Sequence, residues 1–205
     1  MSDLATTHGH APIEPGSLPG VDNRKFGMWL FIVNEIMFFT AFIGLFIAYN
    51  GTAEMGKLKD AIHQNPLTGI IGTSVLLLSS LMVVLGIVSI QRNSKRGLLI
   101  FLLFTVLLGL TFLGIQYTEF TNLNNEGFEL ATSSATSAFF LTTSFHGLHV
   151  LIGVLWALGV MVVTWRNWFS PQKYAGVEIF GLYWHFVDVV WIILFMLIYL
   201  IPAGR

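Results

Sequence analysis

Five long runs of apolar residues divide the chain, and short polar segments separate them. Each run reaches about 20 residues, the length at which an α-helix crosses the hydrocarbon core of a bilayer. None of them shows the strict apolar–polar alternation of a membrane β-strand. The pattern therefore predicts an all-α integral membrane protein with five transmembrane helices, over about residues 27–49, 67–90, 98–117, 135–164 and 177–201.

The first 25 residues differ from the rest of the chain, because they are polar and contain Pro12, Pro15 and Pro19. This composition favours a flexible polar tail over residues 1–25. The loops between the apolar runs are short, which leaves no room for a second domain. We therefore expect one five-helix membrane domain over residues 26–205.

Composition supports the membrane class and excludes several kinds of site. The chain is 55% hydrophobic and only 10% charged, whereas a soluble domain carries roughly a quarter charged residues. It contains no cysteine, which excludes disulfides, iron–sulfur clusters, thiolate zinc sites and thiolate-bridged copper within this chain. The net charge of −1 gives no indication of nucleic-acid binding.

The distribution of basic residues predicts the orientation in the membrane. The tail and the second and fourth loops would share one side, and they hold most of the basic residues: Arg24, Lys25, Arg92, Lys95, Arg96, Arg166 and Lys173. The other side holds Lys57, Lys59 and Arg205. Because cytoplasmic loops carry the excess of Lys and Arg, we expect the N-terminus inside and the C-terminus outside.

Glu35 is the first candidate for function inside the membrane. It lies some 12 Å into the first predicted span, counting about 1.5 Å per residue, and no basic residue lies within a turn or two of it. Intramembrane carboxyl groups usually face protein or water and have a partner. Glu35 is therefore either a proton-exchanging group or a neutral acid hydrogen-bonded across a helix interface.

Three histidines also fall within predicted spans. His146 and His149 form an H-x-x-H pair, and His185 lies in the last span. This spacing allows two ligands on one helix face, yet the Glu-x-x-His motif of di-metal bundles is missing. Three histidines also fall short of the four that two bis-histidine haems need. Hydrogen bonding between helices therefore explains them better than metal or haem ligation.

The last span places His185 and Asp188 three residues apart, so on a helix they share one face. They could relay protons or form a buried pair that locks two helices together. Gln116 and Glu119 end the third span at the predicted outer surface, where a carboxylate is commonly solvated. Arg166 and Lys173, at the predicted inner surface, are candidate contacts for phospholipid headgroups.

Several segments, in order along the chain, resemble subunit III of the haem–copper respiratory oxidases. The resemblance rests on Lys25-Phe26-Gly27-Met28, Phe31-Ile32-Val33-Asn34-Glu35-Ile36-Met37-Phe38-Phe39, Thr73-Ser74-Val75-Leu76-Leu77-Leu78-Ser79-Ser80, Gln116-x-x-Glu119-Phe120, Phe145-His146-Gly147-Leu148-His149-Val150 and Tyr183-Trp184-His185-Phe186-Val187-Asp188-Val189-Val190-Trp191. They span all five predicted helices. Where the family more often has serine, this chain has Asn34.

The resemblance implies an accessory subunit with no catalytic centre, metal or haem of its own. Haems and copper belong to subunits I and II of such oxidases. Subunit III packs on subunit I, supports proton uptake, holds phospholipids and protects turnover from inactivation. By resemblance, the family's buried polar positions fall here on Glu35, His146, His149, Glu178, His185 and Asp188.

The resemblance further implies partners and a location. Besides subunit I, the partners would be subunit II, a small subunit IV and phospholipids, while cytochrome c or quinol would contact the complex rather than this chain. In longer members Lys25-Phe26-Gly27-Met28 opens the third of seven helices, whereas here it opens the first of five. The two additional helices form one wall of a lipid cleft in those members. The five-helix form implies a bacterial cytoplasmic membrane.

Two other functional classes remain open from the residues themselves. A haem b membrane anchor would use the intramembrane histidines as axial ligands. A proton or small-solute carrier would use Glu35 and Asp188, although the sequence shows no inverted repeat or broken helix. A relative of subunit III that acts in nitric oxide reduction is a third alternative.

Overall fold

A computed structural model describes residues 23–64, 66–130, 132–166, 169 and 173–201. This part of the chain contains six α-helices and a closing π-helical turn at Met196–Leu200. The helices are α1 (Asn23–Tyr49), α2 (Ala53–His63), α3 (Pro66–Gln91), α4 (Lys95–Asn125), α5 (Ser134–Trp165) and α6 (Ala175–Phe195).

Five helices are long and apolar enough to cross a membrane, which confirms the predicted all-α class. They are α1, α3, α4, α5 and α6 with its π-helical turn. The two largest differences from the predicted boundaries are that α1 begins at Asn23, inside the predicted tail, and that α4 continues to Asn125, beyond the predicted end at residue 117. Residues 1–22 of the tail lie outside the described residues. The inside–outside orientation stays a prediction.

Side chains fix where α4 and α5 begin. Asn93 has a positive φ of 60°, which turns the chain sharply after α3. The hydroxyl of Ser94 then accepts a hydrogen bond from the backbone N–H of Gly97. At the start of α5, Ser133 and Thr136 form a reciprocal capping box. Such caps satisfy backbone N–H groups that a helix leaves free at its N-terminus.

Helix α2 is an element that the apolar-run pattern does not predict. It has 11 residues, too few to cross a bilayer. Its apolar residues recur at helical spacing, and Met55, Leu58 and Ile62 are buried, while Thr52 caps its start. The helix therefore lies against the bundle, on α5 and the π-helical turn.

Lys59 of α2 is almost fully buried and ties this helix to the C-terminal end of α6. Its Nζ donates to Asn50 Oδ1 at 2.6 Å, to the Leu197 carbonyl at 3.0 Å and to the Ile201 carbonyl at 2.7 Å. Carbonyl groups at a helix C-terminus lack partners within the helix and carry partial negative charge. The ammonium group therefore caps this end, although burial lowers the pKa of Lys59.

The bundle is built around α5 and α6. Helix α6 packs against α1, α3 and α5, and α5 also packs against α1 and α4. Helices α3 and α4 form an antiparallel pair joined by a short turn. Helix α1 rests chiefly on α5 and α6, and many of its large apolar side chains are exposed. In a membrane protein, such exposed faces meet lipid or partner subunits.

Trp184 of α6 is the fully buried side chain that joins four helices. Its indole N–H donates to the Ser79 hydroxyl of α3 at 3.0 Å. Glycines on α4 and α5 leave room for its ring. A methyl group on Gly153 would lie 2.6 Å from that ring, and one on Gly109 would lie 3.1 Å from it. Small residues are common where membrane helices approach closely.

We therefore predict that Gly153→Ala destabilises the packing of α5 on α6 by about 1–3 kcal/mol, the usual range for overpacking. The matched control is Gly159→Ala on the same helix, where an added methyl group would meet nothing within 4 Å. The measurement is the thermal midpoint at which the chain leaves its membrane assembly. Equal midpoints for the two variants would contradict the predicted contact.

Candidate functional site

Two of the predicted polar residues meet at the interface of α1 and α5. Glu35 Oε2 lies 3.1 Å from His149 Nε2, and both residues are buried, with 12% of the Glu35 side chain and 7% of the His149 side chain exposed. Glu35 occupies the narrow stripe of α1 that faces the bundle, together with Met28, Ile32 and Phe39. The carboxyl group thus has its partner on another helix, which the sequence alone does not reveal.

The second ring nitrogen of His149 determines how many protons this pair holds. Nδ1 lies 2.8 Å from the backbone carbonyl of Phe145, and a carbonyl oxygen can only accept. Nδ1 therefore carries a proton, and the contact between Nε2 and Glu35 needs one more. That proton lies either on His149, giving an ion pair, or on Glu35, giving two neutral groups. The pair has no net charge in either arrangement.

Aromatic rings enclose the pair. The ring centroids of Phe39 and Phe145 lie 5.2 and 4.8 Å from that of His149, and the Tyr183 hydroxyl donates to the backbone carbonyl of His149 at 2.9 Å. A net-neutral, enclosed pair avoids the large cost of burying an isolated charge. The arrangement therefore joins α1, α5 and α6 through polar contacts within the membrane-spanning region.

His146 has surroundings different from those of His149. It is fully buried, and its ring stacks on Trp191 with a centroid distance of 5.0 Å. Neither ring nitrogen has a hydrogen-bond partner among the described residues. Within the same described residues, no group of three or more His, Cys, Asp and Glu side chains could hold a metal ion.

The last-span pair is not joined directly. His185 Nδ1 makes its hydrogen bond with the Ser80 hydroxyl of α3, at 2.5 Å, rather than with Asp188. The same Ser80 side chain lies near the Asp188 carboxyl group, but neither Asp188 oxygen has a hydrogen-bond partner among the described residues. His185 therefore links α6 to α3 through a serine.

Glu178 lies in the first turn of α6 and pairs with Lys25 of α1. The Nζ and Oε2 atoms are 2.6 Å apart, and both side chains are partly exposed. Exposed ion pairs of this kind contribute little, typically up to about 1 kcal/mol. The pair adds a second link between α1 and the bundle, at the predicted inner end.

Gln116 and Glu119 face neighbouring helices rather than solvent. The Gln116 amide Nε2 donates to the Thr143 backbone carbonyl of α5 at 2.7 Å. Glu119 accepts a hydrogen bond from the Tyr199 hydroxyl in the π-helical turn. Glu119 is thus only partly exposed and fixes the π-helical turn to α4, which differs from the solvated carboxylate that the sequence favoured.

The two predicted headgroup contacts are both exposed. Arg166 follows the last turn of α5, and Lys173 precedes α6. These positions leave both cations accessible at the same end of the bundle as the Lys25–Glu178 pair. Residues 167, 168 and 170–172 of this loop lie outside the described residues.

The sequence identified most of the polar site residues, but it did not identify the residues that contact them. Ser80, Tyr183, Tyr199 and Lys59 each make a polar contact between elements. A hydroxyl group within an apolar span gives little signal, because serine and threonine commonly bond to their own helix backbone. Lys59 had a detectable signal, since its position three to four residues from buried apolar residues places it on the inner face of α2.

Comparison with known proteins assigns the chain to a family. The family model for cytochrome c oxidase subunit III matches residues 17–202. The chain is 38% identical over 200 residues to quinol oxidase subunit 3 of Bacillus spizizenii, covering 96% of this chain and 97% of that protein. It is 34% identical over 202 residues to cytochrome bo(3) ubiquinol oxidase subunit 3 of Pseudomonas aeruginosa, covering 98% and 93%.

The name of a third relative refers to cytochrome c, whereas the first two are named for quinols. Cytochrome c oxidase subunit 3 of Thermostichus vulcanus is 34% identical over 184 residues, covering 88% of each chain. With five helices able to span a membrane and relatives from bacteria, the chain is a multi-pass protein of a bacterial plasma membrane. It belongs to the cytochrome c oxidase subunit III family.

Proposed function

We propose that the chain is an accessory, non-redox subunit of a proton-pumping terminal oxidase that reduces oxygen to water. The observation that carries this proposal is the family match over residues 17–202, which leaves no segment for a separate catalytic domain within that span. The principal partner is subunit I, and subunit II and a small subunit IV belong to the same complex. The haems and copper reside in those partners.

The polar residues have a common role in this proposal, which is to hold the helices in place. Glu35 with His149 joins α1 to α5, and Ser80 with His185 joins α3 to α6. Glu119 with Tyr199 joins α4 to the π-helical turn. Satisfied polar contacts inside a membrane give a bundle one defined packing, because the groups have few alternative partners there.

The Glu35–His149 pair does not readily release its shared proton, so it is not expected to carry protons itself. Moving the proton between Oε2 and Nε2 changes no net charge, and losing it would set an imidazole lone pair against a carboxylate. We therefore assign the pair a positioning role: it holds α1 in the geometry that subunit I needs during proton uptake. Phospholipids, held at Arg166 and Lys173, would seal the same assembly against inactivation.

The test compares the oxidase complex with and without this chain. We expect both preparations to keep the same haem content and a similar initial rate of oxygen consumption. The complex without the chain should take up protons more slowly and lose activity after fewer turnovers. Equal proton uptake and equal active lifetime would contradict the supporting role.

A further inference from the structure

An asparagine side chain lies exposed near the middle of a membrane-spanning helix. Asn34 belongs to α1, a helix of 27 residues, and lies some 16 Å from its nearer end, counting about 1.5 Å per residue. The hydrocarbon core of a bilayer is about 30 Å thick, so this side chain lies within it. Asn34 is exposed, and no hydrogen bond joins its side-chain amide to any of the described residues.

The Asn34 amide differs in this respect from hydroxyl groups that are also exposed on the spans. The Thr40 hydroxyl donates to the Ile36 carbonyl of its own helix at 2.7 Å, and the Thr111 hydroxyl donates to the Leu107 carbonyl at 2.8 Å. Such a bond satisfies a hydroxyl group without any neighbour. The asparagine amide offers two N–H donors and one carbonyl acceptor, and leaving them unpaired in hydrocarbon is costly. We therefore expect its partner to come from outside this bundle.

Asn34 lies in a continuous exposed stripe of α1, which we call the outer seam. The positions of the outer seam are separated alternately by three and four residues: Gly27, Leu30, Asn34, Met37, Ala41, Gly44 and Ala48. All seven positions are exposed. A repeat of 3.5 residues is the one by which two helices pack along their length as a left-handed pair. The outer seam thus has the spacing of a helix-packing face.

Small residues leave space beside the outer seam. A methyl group added to Gly27 or to Gly44 would meet nothing within 4 Å, and small residues are enriched where membrane helices approach closely. At 3.6 residues per turn, the outer seam lies opposite the buried stripe that contains Ile32 and Glu35. Of the five spans, α1 is also the least buried within the bundle. This chain therefore leaves the whole outer seam open.

The chemistry of Asn34 indicates what covers the outer seam. Acyl chains have neither hydrogen-bond donors nor acceptors, and the hydrocarbon core holds no water that could replace them. Lipid alone would cover the apolar positions of the seam but leave the amide unsatisfied. A second transmembrane helix can supply both kinds of group, and asparagine is among the side chains that hydrogen-bond across helices in membranes. The outer seam therefore fits a helix with a polar side chain at the depth of Asn34.

We propose that the outer seam of α1 binds a transmembrane helix of another subunit of the complex, which forms a hydrogen bond with Asn34 through an amide or hydroxyl side chain. The choice of another subunit over a second copy of this chain rests on the proposed function, because an accessory subunit has to bind the chains that it supports. Glu35, the next residue, bonds to His149 inside the bundle. Helix α1 thus holds the bundle with one side and a partner subunit with the other.

Photocrosslinking in the native membrane tests which molecule covers the outer seam. The photoreactive residue p-benzoylphenylalanine replaces either Met37, which lies in the seam and is 69% exposed, or Ile36, which lies outside the seam and is 48% exposed. The two positions have nearly the same depth but lie about 100° apart around the helix. We expect mass spectrometry to show a crosslink from Met37 to a membrane helix of another oxidase subunit, several-fold stronger than from Ile36.

Three results of this crosslinking would overturn the proposal: equal yields of the same neighbour at both positions, crosslinks from Met37 to lipid alone, or crosslinks from Met37 to a second copy of the chain. If the oxidase core accompanies the chain in any of these cases, the proposed function still stands. A strong Met37 crosslink to a helix of a protein from outside any oxidase would instead confirm the seam and overturn the proposed function.

Substitutions at Asn34 test the hydrogen bond itself. Because the side chain is exposed, Asn34→Leu should leave the bundle folded, while the dissociation constant of the chain from the oxidase core in mild detergent rises roughly three- to tenfold, the effect of one interhelical hydrogen bond in a membrane. Asn34→Gln keeps an amide and should have a smaller effect. The matched control is Thr40→Val, whose hydroxyl bonds to its own helix. A dissociation constant for Asn34→Leu equal to that of the control would overturn the proposal.

Discussion

Replacing Glu35 with leucine is expected to loosen α1 from the bundle while leaving the complex assembled. The substitution leaves His149 Nε2 buried without a partner, which costs about 1–3 kcal/mol. The Lys25–Glu178 pair, which also links α1 to the bundle, is partly exposed and so contributes little. The thermal midpoint for release of the chain should therefore fall, and the active lifetime of the complex should shorten.

Two further variants separate the hydrogen bond from the charge. Glu35→Gln can still donate an amide N–H to His149 Nε2, so we expect a much smaller effect than for leucine. The control Thr40→Val lies on the same helix, and its exposed hydroxyl bonds only to the Ile36 carbonyl, so the midpoint should be unchanged. A midpoint for Glu35→Leu equal to that of the control would remove the proposed role of the pair.

A double-mutant cycle measures the coupling between the two residues directly. Glu35→Leu and His149→Leu each leave the other side chain without its hydrogen-bond partner. The double variant should therefore lose less stability than the sum of the losses in the two single variants. Contacting residues usually couple by about 0.5–3 kcal/mol. Additive effects would mean that the two side chains contribute independently, in contradiction to the 3.1 Å contact.

Replacing Lys59 with methionine is expected to release α2 and the end of α6 together. Methionine fills similar space but donates no hydrogen bond, so the carbonyls of Leu197 and Ile201 lose their partner. We expect a loss of about 1–3 kcal/mol that is confined to this end of the bundle. His63 Nε2, at 2.9 Å from the Tyr199 carbonyl, would remain as a weaker link.

Hydrogen exchange measured by mass spectrometry locates this effect. In Lys59→Met, the amides of α2 and of Met196–Leu200 should exchange faster, while those of α3 and α4 stay protected. Lys57→Met is the matched control, because Lys57 lies two residues away on the same helix and is exposed. If both variants exchange alike over the π-helical turn, Lys59 does not clamp it.

The five spans could be predicted because about 20 consecutive apolar residues have one stable arrangement in a bilayer. Helix α2 could not be found in the same way, because it is short and its apolar residues are spaced out. The contact that holds the C-terminal end of the bundle could not be predicted either, because Lys59 donates to carbonyls 138 and 142 residues further along the chain. Such a contact depends on how the helices pack, which no local pattern specifies.

The candidate site illustrates the same limit at the level of single residues. The sequence identified Glu35 and His149 separately, because each is an ionisable residue within an apolar span. Only the packing of α1 on α5 brings the two side chains together. For His185 and Asp188, the three-residue spacing placed both on one helix. It did not show whether the two side chains contact each other. His185 instead bonds Ser80, because α3 brings a hydroxyl within reach.

Purifying the tagged chain from its own membrane, followed by an absorption spectrum and mass spectrometry of the co-purifying subunits, tests the accessory role most directly. We expect an oxidase core containing haem and copper to accompany the chain, and the chain separated from that core to show no Soret band. Haem retained by the separated chain would favour a haem b anchor. Proton flux through liposomes holding only this chain, with no oxidase core recovered, would favour a carrier, and either result would contradict the accessory role.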